Sequence, residues 1–196
     1  MFIGHINLAP KMNGSEGQLI LLVEALATHG VSQHAVVRNR PLACRLLASG
    51  VISVGPSART AVTASCLMPD VDIVHVHDAR SLPAGLILTL TRAIPYLVTY
   101  RSPSTPASNP LSRSMYRRAK SIVCRDEQQV KPMQRYSPGT PVSFVPEAVE
   151  IELSGERPGP AALASAYLRI YRSVLDGSRV SGLSNRNRSA RRRSRA

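Results

Sequence analysis

The feature that most restricts how this sequence can fold is its regular exchange of short apolar runs with longer stretches whose apolar residues recur at helical spacing. Residues 2–7 form one such run, and Leu19, Leu22, Val23 and Leu26 then place an apolar stripe on one face of a helix over 16–29. Ser15 with Gln18 fits a capping box at the start of that helix, and Gly30 fits its stop. The pattern continues with strands at 33–37, 51–54, 73–77, 96–100, 121–124 and 142–145. Helices are expected at 42–48, 58–67, 82–92, 111–119 and 127–133. Strands this short, separated by helices, are what a parallel sheet covered on both faces requires, because each crossover must return the chain to the same direction. The predicted fold is therefore α/β, a Rossmann-like doubly wound parallel sheet with helices on both faces. Ligands of such sheets sit beyond the carboxyl ends of the strands, so the loops after Asn7, His77 and Tyr100 should meet at one crevice.

A chain of 196 residues with 43% hydrophobic content suffices for one core. The pattern breaks after Glu150. Residues 151–160 read as a linker and 161–176 as a helix, with Leu163, Tyr167, Ile170, Tyr171 and Val174 on an apolar face that must dock. Residues 177–196 are rich in Ser, Asn and Arg and are expected to be disordered.

The formal charge is +13, and six arginines (Arg186, Arg188, Arg191, Arg192, Arg193 and Arg195) crowd the carboxyl end while the body stays basic. Such a balance favours anionic partners: phosphorylated glycolipid, nucleotide phosphates, an anionic membrane surface or nucleic acid. Tryptophan is absent and only 2 Phe and 6 Tyr occur, so there is little material for stacking bases, and nucleic acid is not expected as a partner. Cys44, Cys66 and Cys124 are an odd set without metal-ligand spacing, which argues against a disulfide framework and a structural metal and for a reducing, cytoplasmic setting. No leader-like or membrane-spanning run is read from the apolar stretches.

Three places could carry chemistry. The loop Lys11-Met12-Asn13-Gly14-Ser15-Glu16-Gly17-Gln18 combines flexible backbone with a helix start, which suits either a phosphate cradle or a tight turn. His75 and His77 share one face of a buried strand and Asp78 closes it. They serve either as hydrogen-bonded histidines with a capping carboxylate or as partners of sugar hydroxyls, and no metal is assigned to them. Arg101 ends the next strand, where its fork can hold a phosphate or carboxylate. No Ser-His-Asp spacing, P-loop or complete GxGxxG is present, which argues against hydrolase, kinase and dehydrogenase chemistry.

Taken in order, these motifs resemble the amino-terminal, acceptor-side domain of family 4 glycosyltransferases, which have the two-lobed B-type fold. His5-Ile6-Asn7-Leu8-Ala9 is similar to the first strand of bacterial members. Gly14-Ser15-Glu16-Gly17-Gln18 resembles their Gly-Gly-Glu-Arg-Gln loop, and Asp72-Ile73-Val74-His75-Val76-His77-Asp78 their Asp-Ile-Val-His-Ala-His strand. Ile94-Pro95-Tyr96-Leu97-Val98-Thr99 and Val145-Pro146-Glu147-Ala148-Val149-Glu150 resemble a later strand and the closing Ile-Pro-Asn-Gly-Val-Asp segment. Ser15 stands where the family has its second glycine, Gly17 where it has arginine, and no histidine stands near Arg101.

The likeness covers residues 1–150, and Tyr167-Leu168-Arg169-Ile170-Tyr171 resembles the family's last helix, which crosses back onto the first lobe. The resemblance thus implies a transferase lacking its donor-binding lobe, on the order of 150 residues between Glu150 and Pro158. It also implies transfer of a sugar from a nucleotide-sugar, as co-substrate and without a resident cofactor, to a cell-envelope glycan or lipopolysaccharide-core acceptor. The reaction would need a partner donor lobe. His77, Asp78 and Arg101 are then the catalytic candidates, and Asn13, Gly14, Ser15, Glu16 and His75 the candidates for donor phosphate or acceptor binding. The alternative is a non-catalytic acceptor-binding module.

Overall fold

The computed structural model describes residues 1–11, 14–102, 104, 106, 109–148 and 159–193, and leaves the side chains of 14, 15 and 178–193 undescribed. Asn13 and most of the expected linker therefore lie outside the described residues.

Seven strands alternate with seven helices: β1 Phe2–Asn7, α1 Gly14–Ala27, β2 Ser32–Val37, α2 Arg40–Ala48, β3 Ser53–Val54, α3 Ala61–Leu67, β4 Ile73–Val76, α4 Leu82–Arg92, β5 Tyr96–Tyr100, α5 Pro110–Arg118, β6 Ser121–Cys124, α6 Val130–Tyr136, β7 Val142–Phe144 and α7 Pro160–Arg193. The strands form one sheet in the order β3-β2-β1-β4-β5-β6-β7, every neighbouring pair parallel. The order reverses direction between β1 and β4, so the two central strands flank the switch point at which doubly wound sheets open a crevice.

Helix boundaries follow local chemistry. Asn39, Thr60 and Asn109 accept a backbone N–H at the starts of α2, α3 and α5, satisfying donors that a helix leaves free. Gly30, at φ 69°, ends the turn after α1 as the sequence implies, because a residue without Cβ enters the left-handed region freely. α1 starts at Gly14, one residue ahead of the expected cap, and the Gln18 amide bonds the backbone N and O of Ala148 at 3.0 and 2.8 Å.

The sheet has two differently filled faces. On one, Ile6, Val74, Val76, Tyr96, Val98 and Ile122 pack beneath α3, α4 and α5 in an apolar core. On the other, Ile3, Ile73, Leu97 and Val123 pack against α1 and α7, whose Leu22, Leu26, Leu163, Tyr167 and Tyr171 are buried. α7 is therefore part of the domain. Its backbone stays helical to Arg193, where composition predicts a disordered tail from 177. Extending a docked helix needs no new nucleus, and arginine is a good helix former. Among the described residues, no helix is long and apolar enough to cross a membrane.

Gly85 lets α4 approach the sheet. A Cβ there would lie 2.8 Å from Cδ2 of Tyr96 and 3.0 Å from Cγ2 of Val76, both buried. Gly85→Ala is expected to destabilise by about 1–3 kcal/mol from overpacking, more than the roughly 1 kcal/mol of helix propensity it gains. A thermal melt checks this, since the midpoint should fall by several degrees; an unchanged or raised midpoint would mean that the helix moves away freely.

Candidate functional site at the carboxyl ends of the strands

Parallel register places His5 of β1 beside His75 of β4 on the face beneath α1 and α7, with His77 two residues further on the same side. Their rings are close, His75 and His77 at 3.8 Å and His5 and His77 at 5.2 Å between centroids, and all three residues are buried. Buried imidazoles need partners, and these have them. Gln33 Nε2 donates to the Val23 carbonyl at 2.9 Å, which turns Gln33 Oε1 toward His5 Nε2 at 3.1 Å. An amide oxygen only accepts, so His5 carries its proton on Nε2, and Nδ1 accepts from His77 Nε2 at 3.0 Å. His77 Nδ1 is left as a buried lone pair without a hydrogen-bond partner among the described residues. His75 bonds the Tyr171 hydroxyl through Nδ1 at 2.7 Å and Thr99 Oγ1 through Nε2 at 2.6 Å, and Thr99 reaches the Tyr167 hydroxyl at 3.0 Å.

This layer holds neutral groups. Burial lowers His5 to about 4, partly offset by the Gln33 hydrogen bond, and holds His75 and His77 well below the usual range, with neighbouring histidines and Arg101 adding to the effect. Burial also raises the Tyr171 hydroxyl well above its ordinary value. The three histidines offer ligand atoms within 4.8 Å of one another. Metal capture through His5 Nδ1 or His77 Nε2 would break their mutual bond, so the arrangement drawn by the side chains is a hydrogen-bonded layer.

Above this layer the strands end in charge. Asp78, just past β4, accepts from Leu8 N at 2.7 Å, from Arg80 N at 2.8 Å and from the Ser81 hydroxyl, so it caps a short 3-10 turn and ties the ends of the two central strands together. Glu16 in the first turn of α1 is 1% exposed; Asn7 Nδ2 reaches its Oε1 at 3.5 Å, and its charge acts on Arg101. Arg101 follows β5, and Arg125 holds the equivalent place after β6, where it pairs with Glu147 of the segment after β7. Burial lowers both guanidinium groups, Arg125 to about 10, with Arg101 contributing to the depression of Arg125.

The loops after β1, β4 and β5 thus meet at one end of the sheet with the start of α1. Of the sequence candidates, Glu16, Asp78 and Arg101 stand at that end, and His75 and His77 lie one layer below. Gly14 and Ser15 belong to the first turn of α1, and Asn13 lies outside the described residues. Sequence reasoning passed over Arg125, Glu147 and His5. The rule that selected Arg101, a cation at the carboxyl end of a buried strand, selects Arg125 equally. A larger hollow of about 430 Å³, between Lys120, Pro141 and Arg169, lies at the opposite edge, where the strands begin, away from these groups.

No family model and no curated protein matches the sequence. Solved structures do match its fold. Anabaena HepE in complex with UDP-glucose superposes with a TM-score of 0.62 at 10% identity, over 76% of this chain and 44% of that one. Sucrose-phosphate synthase from Thermosynechococcus elongatus, in the form designated 27_220_406_426, gives 0.53 at 13% identity over 89% of this chain and 99% of that one. Apo UGT2 of Phytolacca americana gives 0.51 at 11% identity, covering 76% and 53%. The fold is thus the Rossmann-like α/β fold of these glycosyltransferase structures, and the chain spans under half the length of HepE.

Proposed function

We propose that this chain is the acceptor-side half of a family 4-type, nucleotide-sugar-dependent glycosyltransferase, serving a phosphorylated cell-envelope glycan or lipopolysaccharide-core acceptor. The observation that carries the reading is the gathering of Glu16, Arg101 and Arg125 at the carboxyl ends of parallel strands beside the switch point, in a fold shared with solved glycosyltransferases. Sugar transfer from a nucleotide develops negative charge on the departing diphosphate, and preorganised positive charge on both walls of a cleft stabilises it. Arg101 supplies charge on this wall. The first turn of α1, from Gly14 to Glu16, faces the donor phosphates or the acceptor with the positive end of the helix dipole. Asp78 fixes the rim, and His77, behind it, positions the rim rather than touching the sugar.

The opposite wall would come from a donor lobe outside these residues, and the basic surface suits work at the inner face of an anionic membrane. A binding-only module is the second reading, favoured by the burial of His75 and His77 beneath the crevice rather than at its surface. Calorimetry of the 196-residue chain separates them. Heat with UDP-glucose supports the transferase half, heat with a phosphorylated core oligosaccharide alone supports the binding module, and silence with both overturns the two together.

A further inference from the structure

The side chain of Arg125 is 8% exposed, yet its Nη1 has no hydrogen-bond partner among the described residues, and its Nη2 faces one oxygen of Glu147. A guanidinium fork is costly to bury with donors unmet. Arg101 stands close enough to weaken its proton affinity, and Gln18, Leu22, Val145, Pro146, Leu163 and Tyr167 close a pocket around the two arginines. The free space in that pocket is about 10 Å³, enough for one water-sized occupant. The partner of Arg125 is the exposed member of the pair: the Glu147 side chain is 47% exposed, and the backbone next door is steadied by the two Gln18–Ala148 bonds. A buried cation paired with a half-exposed carboxylate is an anion site already filled by the chain itself.

Resting on the acceptor-side reading above, we propose that Arg101 and Arg125 form the binding site for a phosphate monoester of the acceptor, and that Glu147 occupies this site until the phosphate displaces it. A monoester brings up to two charges and three acceptor oxygens to two forks, where Glu147 brings one charge and engages one nitrogen of Arg125. For the exchange the Glu147 side chain must turn into water and leave the phosphate its place at Arg125, because the enclosed space of about 10 Å³ holds no more than one water.

The test uses the full chain and inorganic phosphate, titrated at constant ionic strength and followed by NMR of the arginine Nε–H signals. Glu147→Gln removes the internal competitor at a half-exposed position and is expected to tighten phosphate binding about tenfold. Arg125→Gln is expected to weaken it at least about tenfold. Equal affinity in the wild type and Glu147→Gln overturns the proposal, as does full affinity in a folded Arg125→Gln. If Arg125→Gln does not fold, Glu147→Gln alone decides. Competition by glucose 6-phosphate assigns the monoester to a sugar, and competition by phosphatidic acid vesicles alone assigns it to a lipid. Because no nucleotide-sugar is present, phosphate binding can stand while UDP-glucose and glycan calorimetry fail, or the reverse.

Discussion

A chain ending at residue 158 is expected to lose cooperative thermal unfolding, while one ending at 177 keeps a midpoint close to that of the full protein. The reason lies in what α7 covers. Leu163, Tyr167, Leu168, Tyr171 and Val174 are each at most 7% exposed, and at roughly 1.5–3 kcal/mol per buried large side chain they contribute on the order of 10 kcal/mol. A domain of this kind has a net stability of about 5–15 kcal/mol in all. The loss also strips Tyr171 and Tyr167 from His75 and Thr99, exposing a polar layer built to be covered. Differential scanning calorimetry of the two truncations checks the result. A sharp transition in the shorter chain would mean that the seven-stranded sheet is self-sufficient beneath α1.

Acidification from pH 7.5 to 5 is the second large effect expected. Above pH 6.5 the histidines are neutral in both the folded and the unfolded chain, and the packed layer keeps its full stability. Between 6.5 and the folded value, about 4 for His5 and well below 6.5 for His75 and His77, the unfolded chain takes up protons that the folded chain refuses. Stability therefore falls as the pH falls through that window. At pH 5 His5, held at about 4, forfeits about 2 kcal/mol, and His75 and His77, held well below the usual range by burial, add to the loss in the same direction. Urea denaturation at pH 7.5, 6 and 5 measures the slope, and His77→Gln should reduce the proton uptake on unfolding by about one. A urea midpoint unchanged between pH 7.5 and 5 would show that water reaches the imidazoles.

Much of the architecture was legible because its signals are local. Residues 82–92, 96–100 and 121–124 carry the expected elements end for end, since apolar period and punctuation are short-range properties. The same locality explains the misses. Gln18 looked like a cap because the box is defined within four residues, while its real partner Ala148 is 130 positions away. The histidines could be placed on one face from alternation, but nothing in the sequence near His75 points to Tyr171, 96 positions on.

The sequence by itself determined that strands and helices alternate, that the sheet is parallel, that loops after β1, β4 and β5 share one end and that Arg101 stands there. Each follows from the period of apolar residues and the direction a crossover imposes. The tertiary structure alone decided that His5 joins His75 and His77, that α7 seals them, and that Arg125 shares a pocket with Arg101 and pairs with Glu147. Those outcomes depend on which strands become neighbours and which side chains share a dry interior, quantities fixed by packing across the whole domain.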